Sequence, residues 1–204
     1  MYSTLRTFCN LLPLGFTAIS KERKSVLKKI ASYIQNKKDN NLETKLVYIC
    51  THNSRRSHFG QVWAAVAAHY YHVKGITTYS GGTEVTAFNP NAINALQEQG
   101  FVIKDRDENK TNPTFHVHYT DDLYSTCFSK VYDDEINPKE NFAAIMTCGS
   151  AEANCPFIPN CELRIATTYN DPKASDNTPQ QNEIYYNRSK EIATEIFYVF
   201  SLIK

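Results

Sequence analysis

Lys45-Leu46-Val47-Tyr48-Ile49-Cys50-Thr51-His52-Asn53-Ser54-Arg55-Arg56-Ser57 decides how the chain is read. Leu46–Ile49 is a short, unbroken apolar run with β-branched and aromatic residues, the pattern of a strand buried on both faces. It ends in a cysteine. From Arg56 to Val73 the sequence reads as a helix, with Val62, Trp63, Val66, Ala67 and Tyr70 along one side. A thiol, a loop of backbone N–H groups and an arginine therefore meet at a helix start. Helix dipole and unpaired N–H groups favour an anion there, and such surroundings generally favour a thiolate. Arg56 can hold two oxygens of a tetrahedral anion with its planar fork. Ser57 can donate to the thiolate, and the Asn53 amide can brace the loop. The Gly-Lys-Ser/Thr ending of a nucleotide loop is absent.

Downstream, Ile76–Ser80 reads as a second strand, closed by Gly81-Gly82 as a turn. Asn91–Gln99 reads as a helix that follows Pro90 and stops at Gly100. Phe142–Thr147 is another buried strand, ending at Cys148, and Leu163–Tyr169 is a fourth. Asp171–Thr178 is a loop, and Glu183–Ile203 is a long helix with Ile184, Ile192, Ile196, Val199 and Phe200 inward. This alternation predicts right-handed βαβ units and an α/β fold around a four-stranded parallel sheet. In open parallel sheets ligands sit beyond the carboxyl ends of the strands. Cys50, Cys148 and Asp171 each follow a strand, so they are expected at one sheet edge.

Upstream, residues 19–38 read as an amphipathic helix. Ser20 is its N-cap, and Val26, Leu27, Ile30, Tyr33 and Ile34 form its apolar face. Residues 1–15 read only as a tail or edge strand. Residues 101–140 read as an insertion, a hairpin with Phe115–Tyr119 as one strand. The expected division is an N-terminal extension over 1–44 and a catalytic domain over 45–204.

Composition narrows the function classes. The 204 residues are 42% hydrophobic and 21% charged, with a net charge of +1, so no basic surface argues for nucleic acid. No apolar run approaches the roughly 18–20 residues that span a bilayer. Met1–Leu14 is broken by Asn10 and Pro13 and does not read as a signal peptide. The expected location is the cytoplasm, where the six cysteines would be reduced, and no CxxC pair suggests zinc. His116 with His118, and His69 with His72, come with no carboxylate or thiolate set, so no metal site is expected.

Cys50-Thr51-His52-Asn53-Ser54-Arg55-Arg56-Ser57 resembles the Cys-x-Gly-Asn-x-x-Arg-Ser loop of the low-molecular-weight protein tyrosine phosphatases and the thioredoxin-coupled arsenate reductases. The likeness runs from about Lys45 to Tyr198. Tyr79-Ser80-Gly81-Gly82-Thr83 and Asn89-Pro90-Asn91-Ala92 look like that family's Ser-Ala-Gly-Thr and Asn-Pro segments. Asn170-Asp171-Pro172 looks like its Asp-Pro loop. The resemblance implies a flavodoxin-like three-layer sandwich, an oxyanion cradled by Thr51 to Ser57, Cys50 as nucleophile, Arg56 as anion clamp and Asp171 as general acid. Two residues depart from the pattern: His52 stands where the family has glycine, and Arg55 where many phosphatases have a second cysteine. Gln61 stands where some of these reductases have a carboxylate at a potassium site, so no ion is carried over.

Met146-Thr147-Cys148-Gly149-Ser150-Ala151-Glu152-Ala153-Asn154-Cys155-Pro156 looks like the redox segment of the arsenate reductase branch, which carries two cysteines six residues apart. This implies a relay from Cys50 to Cys148 to Cys155 and then to thioredoxin as external reductant, with no bound cofactor. Cys161 is an alternative final partner, and Cys9 and Cys127 are assigned to packing. The alternative activity is a phosphomonoesterase of the low-molecular-weight tyrosine phosphatase type, with a phosphoprotein among its candidate substrates. Lys173 and Ala174 stand where those phosphatases place aromatic residues.

Overall fold

A computed structural model describes residues 1–106, 111–154 and 157–204. Four parallel strands form the central sheet: β1 (Thr44–Cys50), β2 (Ile76–Gly82), β6 (Phe142–Met146) and β7 (Cys161–Ala166), in the order β2-β1-β6-β7. Helix α3 (Arg56–Tyr70) crosses from β1 to β2, and α4 (Pro90–Glu98) follows β2. Successive residues of a strand face opposite sides, and β1 divides accordingly. Leu46 and Tyr48 enter a large cluster under α2 (Lys21–Asp39), α3 and α6 (Gln181–Ser201). Val47 and Ile49 join a smaller cluster with Met146, Cys148 and Ala151, under α5 (Gly149–Asn154), and Cys50, where the strand ends and the alternation stops, joins it too. Helices thus cover both faces of the sheet. Among the described residues no helix is long and apolar enough to cross a membrane.

Several boundaries differ from the sequence reading. Residues 3–11 form a helix, α1 (Ser3–Leu11), followed by a 3-10 turn over Leu12–Ala18, in place of the expected tail or edge strand. Leu5, Cys9 and Leu12 fall at helical spacing and are buried in the main cluster, and Phe8 stacks on Trp63 at 5.3 Å. The insertion is a three-stranded antiparallel sheet rather than a hairpin, with β4 (Phe115–His118) between β3 (Val102–Asp105) and β5 (Tyr124–Cys127). Gly81 and Gly82 belong to β2 and make no turn. A Cβ on Gly81 would lie 2.4 Å from the Tyr132 Cα, and one on Gly82 would lie 2.5 Å from the Thr51 carbonyl oxygen. Ile184 is exposed, and its neighbour Tyr185 is fully buried instead. The Tyr185 hydroxyl donates to Asp176 at 2.6 Å and accepts from Arg55 at 2.7 Å, which turns that face of α6 inward.

Helix α2 starts at Ser20, whose hydroxyl accepts from the Arg23 N–H at 3.1 Å. Lys37 near its other end pairs with Glu162 at 2.7 Å. Residues 1–44 supply Leu5, Cys9, Leu12, Leu27, Ile30 and Ile34 to the cluster shared with α3 and α6.

Candidate active site

The carboxyl ends of β1, β6 and β7 bring Cys50, Cys148 and Asp171 to one edge of the sheet. Ile49 pairs with Met146, and the Thr147 N–H continues the ladder to the Ile49 carbonyl at 2.7 Å. Cys50 and Cys148 therefore leave adjacent strands side by side. The Tyr169 N–H, two residues before Asp171, donates to the Thr147 carbonyl at 3.1 Å.

The loop after Cys50 is built from the inside outward. The Cys50 Sγ lies 3.0 Å from the Ser57 Oγ. The Asn53 Nδ2 donates to the same Ser57 oxygen at 2.9 Å, and the Asn53 Oδ1 accepts the Lys130 backbone N–H at 3.0 Å. Cys50, Asn53 and Ser57 are all buried. Asn53 holds the left-handed backbone, φ +43°, and His52 does not. Asparagine tolerates that conformation better than most side chains, so the loop turns without a glycine at His52. Outside, the Ser54 hydroxyl donates to the Ala87 carbonyl at 2.6 Å. The His52 carbonyl accepts the Ser129 hydroxyl at 2.8 Å and the Thr86 hydroxyl at 3.1 Å.

Arg56 is the first residue of α3 and is buried. Its Nη1 donates to the Tyr169 carbonyl at 2.8 Å, and its Nη2 pairs with the Asp171 Oδ2 at 2.5 Å. Its Nε is buried without a hydrogen-bond partner, a charged donor still able to take an anion. The other Asp171 oxygen caps the turn Pro172–Ser175 by accepting the Lys173 N–H at 3.0 Å. Arg55 turns to Tyr185 and to Asp176, whose carboxylate is 3.2 Å away, so its guanidinium does not join Arg56. A cavity of about 300 Å³ opens beside the loop, lined by His52, Ser54, Arg55, Thr86, Asn89 and Lys173 among others.

Cys148 is buried. Its Sγ lies 3.4 Å from the Thr51 hydroxyl and accepts the Ala151 N–H at 3.3 Å. Cys155 lies outside the described residues, and Cys161 begins β7, partly exposed. Cys9 and Cys127 are fully buried, and burial pushes each thiol up to about 12. Neither is a thiolate at neutral pH.

Three supporting groups escape a reading of the sequence. Lys130 lies within the insertion and is buried, and desolvation lowers its ammonium below the usual lysine range. It closes the loop through its backbone N–H to Asn53. His58 stacks on Phe88 at 4.2 Å and faces the Ser80 hydroxyl at 3.1 Å. Burial holds its imidazole well below its ordinary range, so it is neutral. Tyr169 holds Arg56 through a carbonyl, which no side-chain pattern reveals.

Sheet order, loop and facing carboxylate define an α/β protein with a Cys-x5-Arg loop at the carboxyl edge of its parallel sheet. No protein-family model matches the chain. Curated relatives do. An arsenate reductase of Bacillus subtilis (strain 168) is 26% identical over 151 residues, 74% of this chain and 90% of the relative. An arsenate reductase of Staphylococcus aureus (strain Newman) is 29% identical over 128 residues, 62% of this chain and 77% of the relative. Among solved structures, a thioredoxin-dependent arsenate reductase of Corynebacterium glutamicum aligns over 97% of this chain and 96% of its own, with TM-score 0.43 and 16% identity. The sequence matches, together with the loop and the sheet order, liken the chain to the superfamily of low-molecular-weight protein tyrosine phosphatases and arsenate reductases and support a place in it.

Proposed function

We propose that the protein is an arsenate reductase that works through a cysteine relay and passes its disulfide to thioredoxin. The observation that carries this reading is the seat of Cys148. It is buried in the apolar cluster that holds Cys50, with its sulfur beside the hydroxyl of Thr51, the residue after the nucleophile. A phosphatase needs only Cys50, Arg56 and Asp171, and a second cysteine there has no part in ester hydrolysis.

In the first step the Cys50 thiolate attacks arsenic while Thr51 to Ser57 and Arg56 hold the oxygens. Asp171, paired with Arg56 here, must part from it and take up a proton from solvent as the anion binds, and it then gives that proton to the departing oxygen, which leaves as water. In the second step the Cys148 thiolate attacks the Cys50 sulfur. An S–S bond forms, the S–As bond breaks, and its electron pair stays on arsenic, which goes from As(V) to As(III) and leaves as arsenite. Cys155 then attacks Cys148, frees Cys50 and carries the disulfide to thioredoxin, which reduces it. No bound cofactor is required. The substrate is the free oxyanion, and the chemistry suits the reducing cytoplasm.

The test couples the purified protein to arsenate, thioredoxin, thioredoxin reductase and NADPH. Wild type should consume NADPH, and Cys50→Ser and Cys148→Ser should each lose at least about 100-fold, as for loss of a nucleophile. Cys148→Ser should keep its hydrolysis of an aryl phosphate. If wild type consumes no NADPH while both it and Cys148→Ser hydrolyse the ester equally, the protein is a phosphomonoesterase.

A further inference from the structure

Arg23 lies in the first turn of α2, outside the stretch that supplies Cys50, Arg56 and Asp171, yet it reaches toward them. Its Nε donates to the Glu195 Oε1 and its Nη2 to the Glu195 Oε2, each at 2.8 Å. This is a two-pronged pairing of fixed geometry. The Glu195 Oε2 also accepts the Tyr169 hydroxyl at 2.6 Å. The Arg23 guanidinium lies 4.8 Å from the centre of the Tyr169 ring, and its Nη2 donates to the Thr168 carbonyl at 3.4 Å. The other end of Tyr169, its carbonyl, accepts Arg56. Asp171, two residues on, takes the second Arg56 nitrogen.

The segment 168–171 is therefore held between two arginines. Arg23 holds it from behind, through the Thr168 carbonyl, the Tyr169 ring and Glu195. Arg56 holds it from the site. Tyr169 and Glu195 are both buried, so their bonds are made in a medium that strengthens them and leaves no water to replace a lost partner. Burial and the neighbouring Glu195 raise the Tyr169 phenol well above its usual value, which keeps its hydroxyl a donor.

We propose that Arg23 is a positioning residue for the oxyanion site: it fixes 168–171 and so sets where Arg56 and the Asp171 carboxylate stand. This rests on the reading of Arg56 as the oxyanion clamp. It gives helix α2 a part in the chemistry beyond covering the core. A merely structural α2 would lower stability when loosened at either end. A positioning α2 changes the site only when loosened at Arg23.

The experiment compares Arg23→Met, Arg23→Lys and Lys37→Met. Lys37→Met removes the ion pair with Glu162 near the opposite end of the same helix. Equilibrium binding of inorganic phosphate and of arsenate is measured by calorimetry, alongside thermal unfolding. Arg23→Met should weaken oxyanion binding by about tenfold, the usual scale for losing a group that orients a ligand-binding side chain. Arg23→Lys, which keeps a charge and one donor for Glu195, should recover most of it. Lys37→Met should lower Tm and leave binding unchanged. Should Arg23→Met fail to fold, Tyr169→Phe removes only the hydroxyl on Glu195 and should weaken binding in the same direction. Equal binding in wild type and these variants overturns the proposal, as does equal weakening by Lys37→Met. A wild type that binds neither oxyanion overturns the reading of the site itself. These readings need no turnover, so failure of the thioredoxin assay leaves them standing.

Discussion

At the scale of a residue, Asn53 does more for the loop than its polarity suggests. Its Nδ2 reaches Ser57, its Oδ1 takes the Lys130 N–H, and its backbone sits at φ +43°. Both side-chain bonds are buried, so truncation leaves a donor and an acceptor without water. Asn53→Ala removes both bonds and puts a Cβ-bearing residue with no polar compensation in the left-handed region. It should cost roughly 2–4 kcal/mol of unfolding free energy. Asn53→Gly loses the same bonds but is at ease at positive φ, so it should be about 1 kcal/mol more stable than the alanine variant. Urea titrations of both variants separate the two effects. If glycine and alanine cost the same, the backbone conformation contributes nothing and the bonds alone hold the loop.

At the scale of an element, α3 couples the loop to the sheet. It is buried nearly all round, and Gly60, one turn beyond Arg56, lies against Tyr48 of β1. A Cβ on Gly60 would lie 2.3 Å from the Tyr48 Cδ1, and Tyr48 is itself buried with little room to move. Gly60→Ala should therefore destabilise by about 1–3 kcal/mol despite alanine's better helix propensity. An unchanged urea midpoint would mean that the helix can slide off the strand freely. Elements of this kind were legible from their residues. Leu46–Ile49 and Phe142–Met146 are apolar without alternation because both faces are covered. Helix α1 was not legible, because a helix of 9 residues is too short to stand alone. Its stability comes from Phe8 on Trp63 and from Leu5 against Gly100, contacts with residues far along the chain. The candidate site divides in the same way. Cys50, Asn53, Arg56 and Ser57 are adjacent in sequence and carry their own pattern. Lys130 and Tyr169 act through backbone atoms supplied by distant segments, and nothing local marks them.

At the scale of the molecule, one buried imidazole links these layers to pH. His58 of α3 stacks on Phe88, which follows the glycines of β2. It faces Ser80 of β2, and the Lys130 charge from the insertion bears on it. Desolvation is the largest cause of its lowered pKa and the Lys130 charge the next, while Gln61 and the Asn53 backbone act weakly the other way. The unfolded chain has no such environment, and its histidine titrates near 6.5. Above that value neither state binds a proton at this ring, and stability does not depend on it. Below it the unfolded state takes up a proton that the native state refuses, so stability falls as pH falls. The slope approaches about 1.4 kcal/mol per pH unit for one proton. His69 and His116 are lowered too, but both are largely solvated and add less. Paired carboxylates such as Glu162, whose pKa is lowered, lose their contribution only at more acid pH. Between pH 6.5 and 5 the decline therefore belongs chiefly to His58. Urea unfolding of wild type and His58→Gln at pH 7.5, 6.5, 5.8 and 5.2 would measure it. The variant should be less stable at pH 7.5, because a packed ring is lost, yet flatter with pH, so that the two curves converge on acidification. Parallel curves would mean that His58 is protonated in the folded protein, with its charge answered by a partner.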